Sequence, residues 1–122
     1  MKIASWNVNG IRARIEHVTT WIESNQPDVL ALQETKVMDE MFPFDVFASL
    51  GYQANIYGQK SYNGVALLSK EKPKVCKKGI DGFTDEQTRV ISGIYKDITI
   101  IDVYIPNGQS VGSEKFEYKM KW

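Results

Sequence analysis

Residues 28–36 have the sequence DVLALQETK. Four consecutive apolar residues, Val29 to Leu32, follow a Pro-Asp break and predict a short strand buried on both faces. The run stops at four polar residues, so Glu34 stands at the end of a buried strand. A carboxylate there is partly stripped of water and needs a cation, a hydrogen-bond donor or a proton. The stretch equally fits a plain strand end in which Glu34 pairs with Lys36 at the surface.

The residues before this stretch predict a crossover unit. Lys2–Trp6 has strand character and is followed by the turn-rich Asn7–Gly10. Apolar residues at helical spacing predict a helix over residues 11–25, which Pro27 ends. Strand, helix and strand with short connections favour two parallel strands, whose carboxyl ends share one edge of the sheet. Asn7 and Glu34 are therefore expected to face one crevice.

The residues after this stretch predict further strands and helices. The expected elements are a short helix around Pro43, strands at Tyr52–Tyr57 and Gly64–Ser69, an edge strand at Pro73–Lys78, a hairpin of Arg89–Tyr95 and Ile98–Ile105, and a helix over Ser113–Trp122 with Ser113 as its cap. The fold class is therefore α/β.

Composition and charge exclude little. The chain has 122 residues, 43% of them hydrophobic and 25% charged, which is ordinary for a soluble domain. Fifteen basic and fifteen acidic residues cancel, so net charge indicates neither a nucleic-acid nor a membrane partner. Cys76 is the single cysteine, which fits a reducing compartment. No apolar run is long enough to span a membrane and a strand begins at Lys2, which leaves no room for a signal peptide, so we expect a cytoplasmic protein.

Polar groups stand at three predicted strand ends. Carboxylate and amide oxygens such as those of Glu34 and Asn7 suit Mg²⁺. A tyrosine nearby, Tyr104, can donate a hydrogen bond to a phosphate or, if deprotonated, serve as a base or nucleophile. Basic side chains that suit phosphates are Arg12, Lys36 and Arg89.

Each of these residues also has an ordinary structural interpretation. Asn7 and Asn9 are common turn residues, and Tyr104 fits a half-buried strand position. Arg12 and Lys36 fit a solvated surface, and Arg89 fits a strand end paired with Glu86 or Asp85. His17 is expected to be exposed on the first helix and outside any site. From the residues alone, the prediction is an α/β protein with a candidate metal and phosphate site.

Several ordered motifs resemble exonuclease III and its apurinic/apyrimidinic endonuclease relatives. They cover essentially the whole chain: residues 5–13 (SWNVNGIRA), 27–36 (PDVLALQETK), 64–69 (GVALLS), 89–91 (RVI), 104–108 (YIPNG) and 115–122 (KFEYKMKW). The resemblance implies a DNA-repair phosphodiesterase of the endonuclease/exonuclease/phosphatase superfamily, with a four-layered, deoxyribonuclease-like α/β sandwich. It implies Mg²⁺-dependent hydrolysis 5′ to abasic sites and 3′–5′ exonuclease action on double-stranded DNA.

The resemblance also implies roles for particular residues. Glu34 is the expected metal carboxylate, Asn7 the amide that orients the metal site, and Tyr104 the catalytic tyrosine near the scissile phosphate. The metal is Mg²⁺, or Mn²⁺ in its place. The residues expected to contact DNA or support the site are Arg12, Lys36, Tyr62, Arg89 and Asn107. Asn9 stands where some relatives have an aspartate.

Two motifs of the family are absent from these 122 residues, a later Gly-Asp-x-Asn and a closing Ser-Asp-His. The chain therefore resembles the N-terminal half of such a domain, expected to form one sheet and its helices. The inner face of that sheet, including Val29–Leu32 and Val65–Leu68, is expected to be uncovered and to favour a complementing C-terminal half or self-association. The chain alone is expected to be inactive. The alternatives are a non-catalytic half-domain and a related phosphatase acting on phosphoinositide or sphingolipid head groups.

Overall fold

The first unit of the fold is the predicted crossover. The computed structural model describes all residues from Met1 to Trp122. Strand β1 (Ile3–Asn7), helix α1 (Ile15–Asn25) and strand β2 (Val29–Gln33) follow one another, and the two strands pair in parallel. The helix begins four residues later than predicted, because residues 11–14 form turns. Ile11 belongs to the core although it lies outside the helix, which explains why the apolar spacing included it.

The remaining elements form two sheets. Strands β3 (Gln53–Tyr57) and β4 (Val65–Ser69) complete a four-stranded sheet of order β1-β2-β4-β3. Strands β5 (Val75–Lys78), β6 (Val90–Tyr95) and β7 (Ile98–Val103) form a separate antiparallel sheet in that order. The hairpin and the edge position of β5 are thereby confirmed. The prediction of a single sheet was wrong, because β5–β7 make a sheet of their own.

Three helices complete the chain. Besides α1 there are α2 (Phe44–Ser49), preceded by a short 3-10 turn at Asp39–Met41, and α3 (Glu114–Lys121). Ser113 caps α3 as predicted, since its hydroxyl accepts a hydrogen bond from the Phe116 amide at 3.1 Å. No helix combines the length and apolar character needed to cross a membrane.

Strands β2 and β4 of the first sheet lie between two hydrophobic cores, one on each face of that sheet. Alternate residues of β2, Leu30 and Leu32, pack with Val18 and Ile22 of α1. The other two residues of β2, Val29 and Ala31, point to the second sheet, as do Val65 and Leu67 of β4. On the second sheet they meet Ile91 of β6 and Ile100 of β7. The expectation that Val29–Leu32 and Val65–Leu68 leave an uncovered face was therefore wrong. The second sheet covers that face, and every residue of both segments is buried.

Several of the exposed apolar side chains lie along strands β1 and β7. Strands β1 and β7 are outermost strands of their sheets. The exposed apolar side chains on or beside them are Ile3, Ile98, Ile101 and Ile105. We call β1, β7 and these isoleucines the open side. An unpaired strand edge with apolar neighbours is a ready surface for another polypeptide.

Candidate active site

The loops that follow β1 and β2 are joined by backbone hydrogen bonds. The amides of Val8, Gly10 and Ile11 donate to the carbonyls of Gln33, Glu34 and Thr35 at 3.0, 2.7 and 3.0 Å. This ladder continues the parallel pairing past the strand ends. It holds the Asn7–Asn9 turn directly beside Glu34, as the crossover geometry predicted.

Glu34 itself sits on a strained backbone. Its φ angle is 56° and that of Lys36 is 58°, in the left-handed region that side chains other than glycine rarely occupy. Such conformations cost on the order of 1–3 kcal/mol each and persist only where the surroundings enforce them. Here Gly64 and Asn63 enforce them, since their carbonyls accept from the amides of Thr35 and Lys36 at 3.2 and 2.9 Å.

The Glu34 carboxylate has three polar neighbours. Its Oε1 accepts a hydrogen bond from Asn7 Nδ2 at 2.9 Å, and its Oε2 lies 3.5 Å from Lys36 Nζ. Burial by itself would raise the pKa of Glu34. The hydrogen bond from Asn7, the neighbouring phenol of Tyr104 and the ammonium of Lys36 outweigh burial, so the pKa lies below its ordinary value. The side chain stays ionised at neutral pH and is still 21% exposed, which leaves it open to a cation.

Lys36 connects the two loops through side chains. Its Nζ donates to Asn9 Oδ1 at 2.6 Å in addition to its ion pair with Glu34. The Asn9 amide in turn donates to Asn7 Oδ1 at 3.1 Å. The surface pair of Glu34 with Lys36 and the turn roles of Asn7 and Asn9 are therefore all present. They coexist with the site, because the same contacts orient the carboxylate.

Tyr104 reaches the cluster from the end of β7. Burial raises the pKa of its phenol, and the adjacent Glu34 carboxylate raises it further, while Arg89 partly opposes the shift. The phenol is therefore protonated at neutral pH and acts as a hydrogen-bond donor. Of the two roles open from the sequence, hydrogen bonding thus fits the geometry better than a phenolate.

Arg89 packs against Tyr104, the residue that directly follows β7. Its guanidinium lies 4.8 Å from the centre of the Tyr104 ring and donates to the Tyr104 carbonyl at 3.1 Å. Its Nε donates to Gln87 Oε1 at 2.8 Å, and it forms no ion pair with Asp85 or Glu86. A half-buried guanidinium with no carboxylate partner is suited to an anion, and phosphate matches its fork of donors.

Three of the predicted site residues are not brought into this cluster. Arg12 and Tyr62 are exposed, and Tyr62 is 71% accessible. Asn107 is exposed and its Oδ1 accepts from the Gln109 amide at 2.8 Å, which is a local turn. None of the three shares a hydrogen bond with Glu34, Asn7 or Tyr104. Their DNA-contact role remains a prediction.

Two neighbouring residues were missed from the sequence. Gln33 donates from Nε2 to Asp102 Oδ1 at 2.7 Å and to Ser5 Oγ at 3.0 Å, which links β2, β7 and β1 beneath the cluster. Asp102 is 2% exposed and its Oδ2 has no hydrogen-bond partner. Burial raises the pKa of Asp102 to about 7, although the bond from Gln33 opposes this. A signal was present in the sequence, since Asp102 places a carboxylate within a largely apolar strand, two residues from the inward-facing Ile100.

The donor set fits a hard cation in part. Nowhere in the chain do three or more His, Cys, Asp or Glu side chains converge as a metal site. Glu34 supplies one ionised carboxylate, with the amide of Asn7 beside it. Mg²⁺ takes few protein ligands and keeps several waters, so one carboxylate with an amide is a fitting though incomplete set.

Comparison with known proteins gives the family. The model of the Endonuclease/Exonuclease/phosphatase family matches residues 4–117. A curated relative, exodeoxyribonuclease III of Haemophilus influenzae, is 43% identical over all of this chain and 48% of its own length. The chain thus spans about half the length of that relative.

Solved structures agree with this assignment. A structure of an AP endonuclease from Archaeoglobus fulgidus is 40% identical with a TM-score of 0.95, covering all of this chain and 48% of that one. A 3′ phosphatase from Neisseria bound to a product DNA hairpin is 38% identical with a TM-score of 0.97, at the same coverage. The two-sheet fold is thus that of solved structures about twice as long, and this chain belongs to the endonuclease/exonuclease/phosphatase family.

Proposed function

We propose that this chain supplies catalytic residues for Mg²⁺-dependent hydrolysis of DNA phosphodiester bonds, of the exonuclease III and AP endonuclease type. The substrates are double-stranded DNA cut 5′ to an abasic site and DNA ends trimmed from 3′ to 5′. The observation that carries the proposal is the meeting of Glu34, Asn7 and Lys36 with Tyr104 and Arg89 at one end of the sandwich. The names of the relatives support it.

The residues of the cluster have different proposed roles according to their charge. Arg89, which lacks a carboxylate partner, binds a phosphate oxygen of the DNA backbone. The protonated Tyr104 donates a hydrogen bond to the same phosphate, where negative charge develops as water adds to phosphorus and the bond to the 3′ oxygen breaks. Lys36 and Asn7 keep the Glu34 carboxylate fixed and ionised. A bound Mg²⁺ or Mn²⁺ would be held by Glu34 with Asn7 beside it and would supply positive charge to the phosphate.

These residues do not form a complete catalytic set. Glu34 has a lowered pKa and Tyr104 a raised one, so neither exchanges a proton readily near neutral pH. General acid–base help is typically worth about 10²- to 10⁴-fold in rate. We therefore propose that the chain alone is nearly inactive. The open side would bind a polypeptide that supplies the missing groups, or a second copy of the chain.

The substrate class is tested by assaying three substrates in parallel. The chain is mixed with the half of the Haemophilus influenzae relative that the match does not cover, and offered abasic duplex, intact duplex and an inositol phosphate. We expect Mg²⁺-dependent incision of the abasic duplex and 3′ trimming of the intact one. The matched control is the same mixture with Glu34→Gln. Release of phosphate from the inositol phosphate, with both DNAs left intact, would replace the proposal with a phosphatase.

A further inference from the structure

A cavity of about 230 Å³ adjoins the cluster through Arg89, which lines it and also donates to the Tyr104 carbonyl. Three aromatic side chains from distant segments line it: Tyr57 at the end of β3, Phe83 in the loop before β6, and Trp122 after α3. Lys78, Asp85 and Arg89 also contribute to its wall. We call this cavity the aromatic pocket.

The size and lining of the aromatic pocket fit a small flat group. Ligand pockets are mostly apolar with a few placed polar groups, and drug-sized ligands need roughly 300–1,000 Å³. This pocket is smaller, so it suits one ring system rather than a whole nucleotide. Its three aromatic side chains are only partly buried, which keeps ring surface accessible for stacking.

The charged side chains around the pocket differ in the partners that they already contact. Lys78 Nζ lies 3.9 Å from Asp39 Oδ2 and 5.8 Å from the centre of the Tyr57 ring. Asp85 accepts a hydrogen bond from the Tyr118 hydroxyl at 2.5 Å. Arg89 is the basic lining residue without a carboxylate partner, and its guanidinium also lies over the rings of Tyr104 and Tyr118. An anionic group attached to the bound ring would therefore be held on the Arg89 side.

We infer that the aromatic pocket binds the unpaired nucleobase at a frayed 3′ end of a DNA strand whose phosphate is held by Arg89. This inference rests on the proposed function, because it assigns Arg89 to a DNA phosphate. Stacking on aromatic side chains accepts any base, since every base has a π face. Asp85 and Gln87 also line the pocket, and their side-chain oxygens already accept hydrogen bonds from Tyr118, the Gln87 backbone amide and Arg89. A base seated there would fix the strand relative to Tyr104 without reading its sequence.

Two small probes separate the base from the phosphate. The ¹⁵N-labelled chain is titrated with deoxyadenosine monophosphate and with deoxyribose 5-phosphate, which lacks a base, while amide resonances are followed. Stacking is worth about 1–3 kcal/mol per base. We therefore expect the nucleotide to bind about tenfold more tightly than the sugar phosphate. The nucleotide alone should shift the resonances of Phe83, Thr84 and the Trp122 indole, whereas both probes should shift those near Arg89.

Matched variants test whether the pocket is the site. Phe83→Leu should lower the affinity for the nucleotide about tenfold and leave that for the sugar phosphate unchanged, while Arg89→Gln should weaken both. Phe83 is a half-buried loop residue, so its replacement leaves both cores intact. Equal affinities for the two probes, nucleotide shifts elsewhere on the surface, or no binding of either probe would each overturn the inference.

The binding test is independent of cleavage. A mixture that fails to incise DNA while the nucleotide still shifts the pocket resonances would count against the proposed reaction and leave the pocket assigned. Conversely, incision of abasic DNA without pocket binding would uphold the reaction and remove the nucleobase site.

Discussion

At the scale of single residues, Glu34 combines a left-handed backbone with a carboxylate that its neighbours keep ionised. We expect Glu34→Gln to remove most Mg²⁺-dependent cleavage by the complemented enzyme, because the charge that attracts the cation is lost. The amide keeps the shape of the side chain, so the unfolding temperature should change little. Cleavage rates at limiting Mg²⁺ and thermal melts give the two readouts. Near-normal cleavage under those conditions would exclude Glu34 as the metal carboxylate.

The phenol of Tyr104 should matter for the reaction more than for stability. Tyr104→Phe removes the hydroxyl that lies beside Glu34 and keeps the ring that stacks on Arg89. We expect the cleavage rate of the complemented enzyme to fall about 10²-fold or more, as for loss of one donor to a developing negative charge. The melting temperature should stay within a few degrees. A variant that cleaves like the parent but melts earlier would identify Tyr104 as a packing residue.

Asp102 should make stability depend on pH. Burial raises the pKa of Asp102 from 3.8 to about 7 in the folded chain. Below pH 4 the Asp102 carboxyl is protonated in both the folded and the unfolded chain, so its ionisation takes nothing from the free energy of unfolding. Between pH 4 and 7 only the unfolded state ionises, so the free energy of unfolding falls as pH rises, by up to about 4 kcal/mol in total.

The matched variant for this effect is Asp102→Asn, which keeps an acceptor for Gln33 but cannot ionise. Urea unfolding at several pH values should show the variant gaining stability relative to the parent between pH 4 and 7. A stability difference that stays constant across this range would show that Asp102 does not titrate with a raised pKa.

At the scale of elements, Gly64 at the start of β4 sets the position of the Glu34 loop. Its φ angle is +95°, and a Cβ there would lie 2.1 Å from Thr35 Oγ1. Gly51 has a similar φ of +87° with nothing within 4 Å of its Cβ position. Gly51→Ala should therefore cost about 1 kcal/mol of backbone strain. Gly64→Ala should cost more and displace the Glu34 carboxylate.

Urea unfolding and cleavage assays compare the two glycine variants. We expect loss of cleavage only in Gly64→Ala, because only that methyl group collides with the loop that carries Glu34. Equal stability and equal cleavage in the two variants would show that the close approach of Gly64 to Thr35 has no consequence for the site.

Short-range sequence signals were enough to predict the helices and strands. How strands distant in sequence pair into sheets could not be predicted in the same way. Pro27, the spacing of Val18 and Ile22, and the cap at Ser113 each act within a few residues, so the crossover and α3 were predicted. The second sheet was missed, because the apolar run Val29–Leu32 shows burial on both faces without showing what covers each face. The juxtaposition of Asn7 with Glu34 followed from parallel strands, whereas the contact of Asp102 with Gln33 joins residues far apart in sequence.

At the scale of the whole molecule, the chain has two filled cores and one open side. The edge strands β1 and β7, each with one unpaired edge, and their exposed isoleucines lie there. The cluster at the strand ends holds a carboxylate, an amide, a phenol and a guanidinium, with no proton-exchanging pair. Activity is therefore expected to require a partner that binds the open side.

The most direct test of this dependence on a partner is the rate at which the purified 122-residue chain incises an abasic duplex. The rate is measured for the chain alone and after addition of the half of the Haemophilus influenzae relative that the match does not cover. We predict a rate barely above background for the chain alone. Addition of the second half should raise the rate at least 10²-fold, and Glu34→Gln should abolish that increase. A monodisperse monomer that incises abasic DNA at an enzyme-like rate by itself, or a complemented mixture that stays inactive, would contradict the account.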